Sequence, residues 1–128
     1  MRILLDTQAL LWFHARDPKL SQGKRLMLES GEHECWYSIV SLWEIAIKHS
    51  IGKLELVDGL EETFETMGQA NLRLLNLQQP HILQLATLPL HHRDPFDRIL
   101  IAQAMREGMQ VLTSDPYFEA YGQPVIMV

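Results

Sequence analysis

Four acidic residues, far apart in the chain, stand where strands and helices meet. Asp6 ends the apolar run Ile3-Leu4-Leu5, and Asp115 follows the run Gln110–Thr113 across one serine. Glu44 falls in the second turn of a helical pattern that follows a strand-like segment, and Asp97 sits two residues after Pro95 at the opening of another helix. In an open α/β sheet the carboxyl ends of the strands share one edge, and ligands bind along it. Four carboxylates delivered there repel one another unless a cation joins them. Oxygen-only ligation suits Mg²⁺ or Mn²⁺ rather than Zn²⁺. Asp6, Glu44, Asp97 and Asp115 are therefore the candidates, as catalytic groups and as metal ligands, for one divalent-metal site.

Each of them also has a structural account. Asp6 or Thr7 can cap the helix that follows. Glu44 stands four residues before Lys48, the favourable order for an exposed helix ion pair. Asp94, Pro95 and Asp97 match the N-cap, first and third positions of a helix, and Asp115 before Pro116 is again a cap. The histidines offer no rival site: His91 and His92 are adjacent, and His14, His33, His49 and His81 lack zinc-type spacing with Cys35 or with each other. They read as surface or loop residues. No nucleophile elbow, Walker loop or dinucleotide fingerprint is present. Trp12, Trp36, Trp43 and Phe96 read as core.

The elements that must position these groups alternate along the chain. Ile3–Leu5 reads as a buried strand, followed by helices at Ala9–His14 and Gln22–Leu28, with Asp17-Pro18 as a break. Glu34–Ser38 has strand composition and leads into a helix over Ile39–Ser50, whose Leu42, Ile45, Ala46 and His49 form a core-facing stripe. A helix carrying Leu60, Phe64 and Met67 stops at Gly68; Leu72–Leu75 is a strand, and Gln79–Thr87 a helix with Pro80 in its first turn. Asp94-Pro95 starts a helix to Glu107, with Gly108 past its end. Gln110–Thr113 is a strand, Pro116–Glu119 a helical turn and Pro124–Val128 a final strand. Such alternation predicts an α/β fold, a parallel sheet flanked by helices on both faces. With no repeat or linker, residues 1–128 read as one domain.

The bulk numbers agree. A chain of 128 residues, 47% hydrophobic and 21% charged, is a globular domain with one core. A formal charge of −5 argues against a nucleic-acid binder that works by phosphate attraction alone, but not against a nuclease whose carboxylates are offset by cations. One cysteine fits a reducing, cytoplasmic setting, and no apolar stretch approaches a membrane span or forms a signal peptide.

Leu4-Leu5-Asp6-Thr7, Ser41-Leu42-Trp43-Glu44-Ile45-Ala46, His91-His92-Arg93-Asp94-Pro95-Phe96-Asp97-Arg98 and Thr113-Ser114-Asp115 resemble, in order, the motifs of the PIN-domain family, and among them the VapC-type toxins of toxin–antitoxin pairs. The resemblance covers nearly the whole chain. It implies a three-layer PIN-like fold and a Mg²⁺- or Mn²⁺-dependent ribonuclease acting on an RNA substrate, as a homodimer silenced by a small antitoxin. Carried over by motif, Asp6 and Asp97 are the principal metal ligands, with Glu44 and Asp115 completing the site directly or through water. Arg98 or Arg93 is a candidate to meet the phosphate, Arg98 fitting a surface position equally well, and Gln8 departs from the histidine this subgroup often carries. Some of the apolar residues on the flanking helices, among them Trp12, Phe13, Phe64 and Met67, are expected to supply subunit or antitoxin contacts. Two other readings stand beside this one. A phosphatase of the haloacid-dehalogenase type also starts with a strand ending in Asp, but wants a second Asp where this chain has Gln8. An inactive interaction module could use the same fold.

Overall fold

In the computed structural model, which describes residues 1–122 and 124–128, five strands form one sheet, β3-β2-β1-β4-β5. The strands are β1 (Arg2–Leu5), β2 (Glu34–Ser38), β3 (Arg73–Leu75), β4 (Gln110–Thr113) and β5 (Val125–Met127), and every pairing is parallel. The helices are α1 (Thr7–Ala15), α2 (Gln22–Glu29), α3 (Ile39–Ser50), α4 (Leu60–Gln69), α5 (Gln79–Ala86) and α6 (Pro95–Glu107); a 3₁₀ segment covers Pro116–Tyr121. This is the expected sheet with helices on both faces. No helix among the described residues is long and apolar enough to cross a membrane.

Central β1 shows why. Ile3, Leu4 and Leu5 are all fully buried, as in a strand covered on both faces. Side chains alternate, so Ile3 and Leu5 join Cys35, Tyr37 and Leu112 against the side bearing α1, α2 and α4, while Leu4 joins Val111 against Leu100, Ile101 and Ala104 of α6. Trp12, Phe13 and Phe64 pack against the first cluster and Met67 lies within it. Of the four residues from which interface contacts were expected, the core of one face takes Met67 wholly and Trp12, Phe13 and Phe64 in part.

Polar residues lock α6 to the sheet. The fully buried hydroxyl of Ser38, at the end of β2, donates to Gln103 Oε1 at 2.6 Å, and Gln103 Nε2 donates to the Asn76 carbonyl at 3.4 Å. His81 lies beside them with no exposed surface, its Nδ1 accepting from the Gln78 backbone at 3.0 Å. Its sequence reading as a surface residue fails because it completes the capping box of α5 from inside. Trp43 errs in the opposite direction, being 59% exposed rather than core.

Boundaries moved where caps or glycine decided them. α1 starts at Thr7 rather than Ala9 because the Asp6 carboxylate accepts from the Ala9 N–H at 2.7 Å. Gly68 does not stop α4, which continues through Gln69. Gly108 does end α6: its φ of 68° lets its own N–H and that of Met109 return to the last carbonyls of the helix. A Cβ at Gly108 would meet nothing within 4 Å, so only the backbone conformation penalises it. Gly108→Ala is expected to cost about 1 kcal/mol. Urea unfolding measures it, and an unchanged midpoint would contradict the account.

Candidate functional site

Where β1 and β4 lie side by side, connections leave the sheet for opposite faces, and the carboxyl edge opens there into a cavity of about 240 Å³. Asp6, Glu44, Asp97 and Asp115 all line it, with Asp94, Lys48, Gln8 and Ser114. Each acid arrives on a different element: Asp6 at the β1–α1 junction, Glu44 from the second turn of α3, Asp97 from the first turn of α6, and Asp115 just past β4.

Local capping and convergence coincide. Asp6 is 5% exposed; Oδ1 caps α1 and Oδ2 accepts from the Thr113 hydroxyl at 2.6 Å. The same Thr113 oxygen accepts from the Asp115 N–H at 2.9 Å, so one residue of β4 registers two of the acids. Asp115 caps the 3₁₀ segment through Oδ1, to the Tyr117 N–H at 2.9 Å. Asp94 caps α6, Oδ1 accepting from the Phe96 N–H at 2.9 Å and the Asp97 N–H at 3.4 Å. A carboxylate oxygen that accepts one bond retains capacity for another. Capping and ion binding are thus compatible roles.

Glu44 is held differently. Its Oε1 accepts from the Thr7 hydroxyl at 2.6 Å, with Ser41 Oγ 2.9 Å from that hydroxyl, and its Oε2 pairs with Lys48 Nζ at 2.6 Å. The i,i+4 ion pair read from sequence exists, but it is not an exposed pair. The Glu44 side chain is 5% exposed and that of Lys48 is 48% exposed. Buried positions of α3 include Ser41, Glu44 and Ile45, so the helix turns a polar stripe to the cavity beside its apolar one.

Five carboxyl groups and one ammonium line this small space, which leaves negative charge in excess. Burial, opposed by the Thr113 and Ala9 hydrogen bonds, pushes Asp6 up to about 6, with Glu44 and Asp115 adding repulsion. Burial and the charge of Asp94 push Asp97 to about 7, against the attraction of His92. The ion pair with Glu44 raises the Lys48 pKa. Oxygen donors, excess negative charge and carboxyls held in a costly state are what a hard divalent cation relieves, so the residues present fit Mg²⁺ or Mn²⁺.

The structure differs from the sequence reading at His92 and decides between the two readings of Arg98. His92 is no bystander in a loop: its Nε2 lies 3.0 Å from both Asp97 Oδ2 and Asp115 Oδ2. The tandem His91-His92 offered no spacing signal, and only the fold over the 3₁₀ segment brings one imidazole inward. Arg98 does not reach toward the cavity; its guanidinium donates to the Pro89 carbonyl at 3.0 Å and the Tyr121 hydroxyl at 3.3 Å, tying down the loop before α6. Arg93 is exposed. The cation lining the cavity is Lys48.

A comparison with curated proteins finds no match. Solved structures share the fold. The chain matches VapBC2 from Rickettsia felis, solved bound to a promoter DNA fragment, with TM-score 0.77 and 13% identity, covering 99% of this chain and 98% of that one. It matches DNA-bound VapBC from Salmonella typhimurium with TM-score 0.72 and 17% identity, at 99% and 98% coverage. For FitAcB from Neisseria gonorrhoeae the values are 0.68 and 19%, at 97% and 96%. The family model of the PIN domain matches residues 3–124, nearly the whole chain, and the parallel sheet with acids at its carboxyl edge agrees: this chain belongs to the PIN-domain family.

Proposed function

We propose that this protein is a divalent-metal-dependent endoribonuclease, the toxin of a toxin–antitoxin pair. The observation that carries the reading is the convergence of Asp6, Glu44, Asp97 and Asp115 on one cavity with too little positive charge to balance them. Asp6 and Asp97 would hold Mg²⁺ or Mn²⁺, and Glu44 and Asp115 would complete the site directly or through water. A divalent ion there supplies an acidified water and charge stabilisation at a phosphoryl group. Lys48 holds Glu44 and places an ammonium at the mouth, where a phosphate would approach. The phosphatase reading gains nothing, because Gln8 takes the place of the second aspartate and is exposed. An inactive module is disfavoured by the intact acidic set.

Purified protein should cleave single-stranded RNA with Mg²⁺ or Mn²⁺, stop on addition of EDTA, and be silenced by the antitoxin encoded beside it. Asp97→Asn should lose at least about 100-fold of the rate, the scale of losing a preorganised electrostatic group. Undiminished cleavage in EDTA overturns the metal requirement.

Dimerisation is the second part of the reading, and its support lies on other residues than the sequence suggested. Trp43 and Ile47 of α3 and Ile51 just past its end are exposed at i, i+4 spacing, and Ile82 and Leu83 are exposed on α5. Exposed apolar groups of this kind mark interfaces, and a symmetric pair of copies is the commonest way to cover them. Light scattering should give the mass of two chains, and Trp43→Glu with Ile47→Glu should give one. A parent that stays at the mass of one chain at tens of micromolar contradicts the dimer.

The raised carboxyls also fix a pH dependence for the metal-free protein. Asp6 and Asp97 bind protons more tightly folded, near 6 and 7, than at the reference value of 3.8. Their stabilising contribution is complete below about pH 3.8 and is lost as pH rises through about 6 to 7. The melting temperature without metal should therefore fall between about pH 5 and pH 8. Asp97→Asn should flatten that fall; Asp6→Asn is the poorer probe, because it leaves the Thr113 hydroxyl without its carboxylate acceptor. Mg²⁺ at a hundred times its Kd should add about 2.7 kcal/mol at neutral pH. A flat parent profile with no Mg²⁺ response would leave the acids as separate helix caps.

A further inference from the structure

His92, Asp97 and Asp115 each offer one ligand atom, all within 4.8 Å of one another, which on distances alone suits one nitrogen and two oxygen ligands of a metal. The other ring nitrogen decides against that. The backbone N–H of Asp94 donates to His92 Nδ1 at 3.1 Å. An amide N–H can only donate, so Nδ1 presents its lone pair there. The ring's proton is then on Nε2, since a neutral imidazole carries one N–H. Both neighbours of Nε2 are carboxylate oxygens, which accept it. Placing an ion on Nε2 would require moving that proton to Nδ1, against the Asp94 N–H and the turn that opens α6.

We propose that His92 is a positioning residue of the acidic site and not a metal ligand. Its Nε2–H, shared between Asp97 on α6 and Asp115 beyond β4, fixes the separation of two carboxylates that would otherwise repel. The ring is itself held: the His92 N–H donates to the Tyr121 hydroxyl at 2.7 Å, and the imidazole lies against Tyr117 with centroids 5.4 Å apart. Hydrogen-bond partners behind ligands of this kind govern metal affinity about 10–100-fold. The inference rests on the metal-dependent reading above.

The full-length chain is tested with Mn²⁺ alone. His92→Phe keeps a ring without the donor, and His92→Gln keeps an N–H at the distance of Nε2. Binding isotherms should show Mn²⁺ affinity weakened about 10–100-fold in His92→Phe and largely restored in His92→Gln. Two measurements on the parent need no variant. Ring ¹⁵N shifts of the metal-free protein should report the Nε2–H form, and pulsed EPR of bound Mn²⁺ should lack the coupling of a directly ligated imidazole nitrogen. Parent-like affinity in His92→Phe, an Nδ1–H ring, or a directly coupled nitrogen each overturns the proposal. A parent that binds Mn²⁺ yet leaves RNA intact overturns the nuclease reading alone, because the isotherms still decide the role of His92. A parent that binds no Mn²⁺ overturns both.

Discussion

Like charges brought to one small cavity are the constraint on which this structure depends. Asp6, Glu44, Asp94, Asp97 and Asp115 face a common space with Lys48 as the cation among its lining residues, and repulsion adds to burial in raising Asp6 and Asp97. Such an arrangement persists only where the surrounding fold over-determines it, and it is costly to stability. The neighbouring side chains reflect that need. Thr113 donates to Asp6, Thr7 donates to Glu44, and His92 sits between Asp97 and Asp115. Each orients a carboxylate from a different element.

The layers behind the cavity serve the same end. β1 and β4 pair in register from Ile3 with Gln110 to Leu5 with Leu112, and the Asp6 N–H extends that ladder to the Leu112 carbonyl at 3.0 Å. Asp6 thus inherits the rigidity of a strand buried on both faces. α6 follows a loop rather than a strand, and the Ser38–Gln103–Asn76 chain anchors it past its midpoint. Buried and hydrogen-bonded, those polar residues set the register of α6 against the sheet more sharply than its apolar contacts with Leu4 and Val111 alone would. Arg98 adds a tether on the outer side by holding the carbonyls of the loop before the helix.

Much of the fold was legible because local signals agreed with the tertiary result. The continuous apolar run Ile3–Leu5, the Asp94-Pro95 start and Gly108 stop of α6, and the Asp6 cap of α1 each carry a mechanism within a few residues. The acidic residues stood out for the same reason, since caps and strand ends are where a parallel sheet turns its chain outward. The ambiguity between cap and ligand was real and did not need resolving in favour of one. Asp6 is a cap and a cavity residue at once.

What the sequence determined by itself was therefore the set of elements, their parallel arrangement, and which acids stand at strand and helix ends. Period, capping and turn chemistry act over a few residues, and they are written locally. What only the tertiary structure decided was which side chains meet across elements. His92 faces two carboxylates because the segment before α6 folds under Tyr117 and Tyr121, contacts separated by 25 and 29 residues or so in the chain. Arg98 is drawn to carbonyls, His81 is sealed beneath α5, and Trp43 is left in solvent for reasons of the same kind. Hydrogen-bond geometry between distant residues depends on how helices lie on the sheet, and that is settled by packing of the whole core rather than by any stretch of sequence.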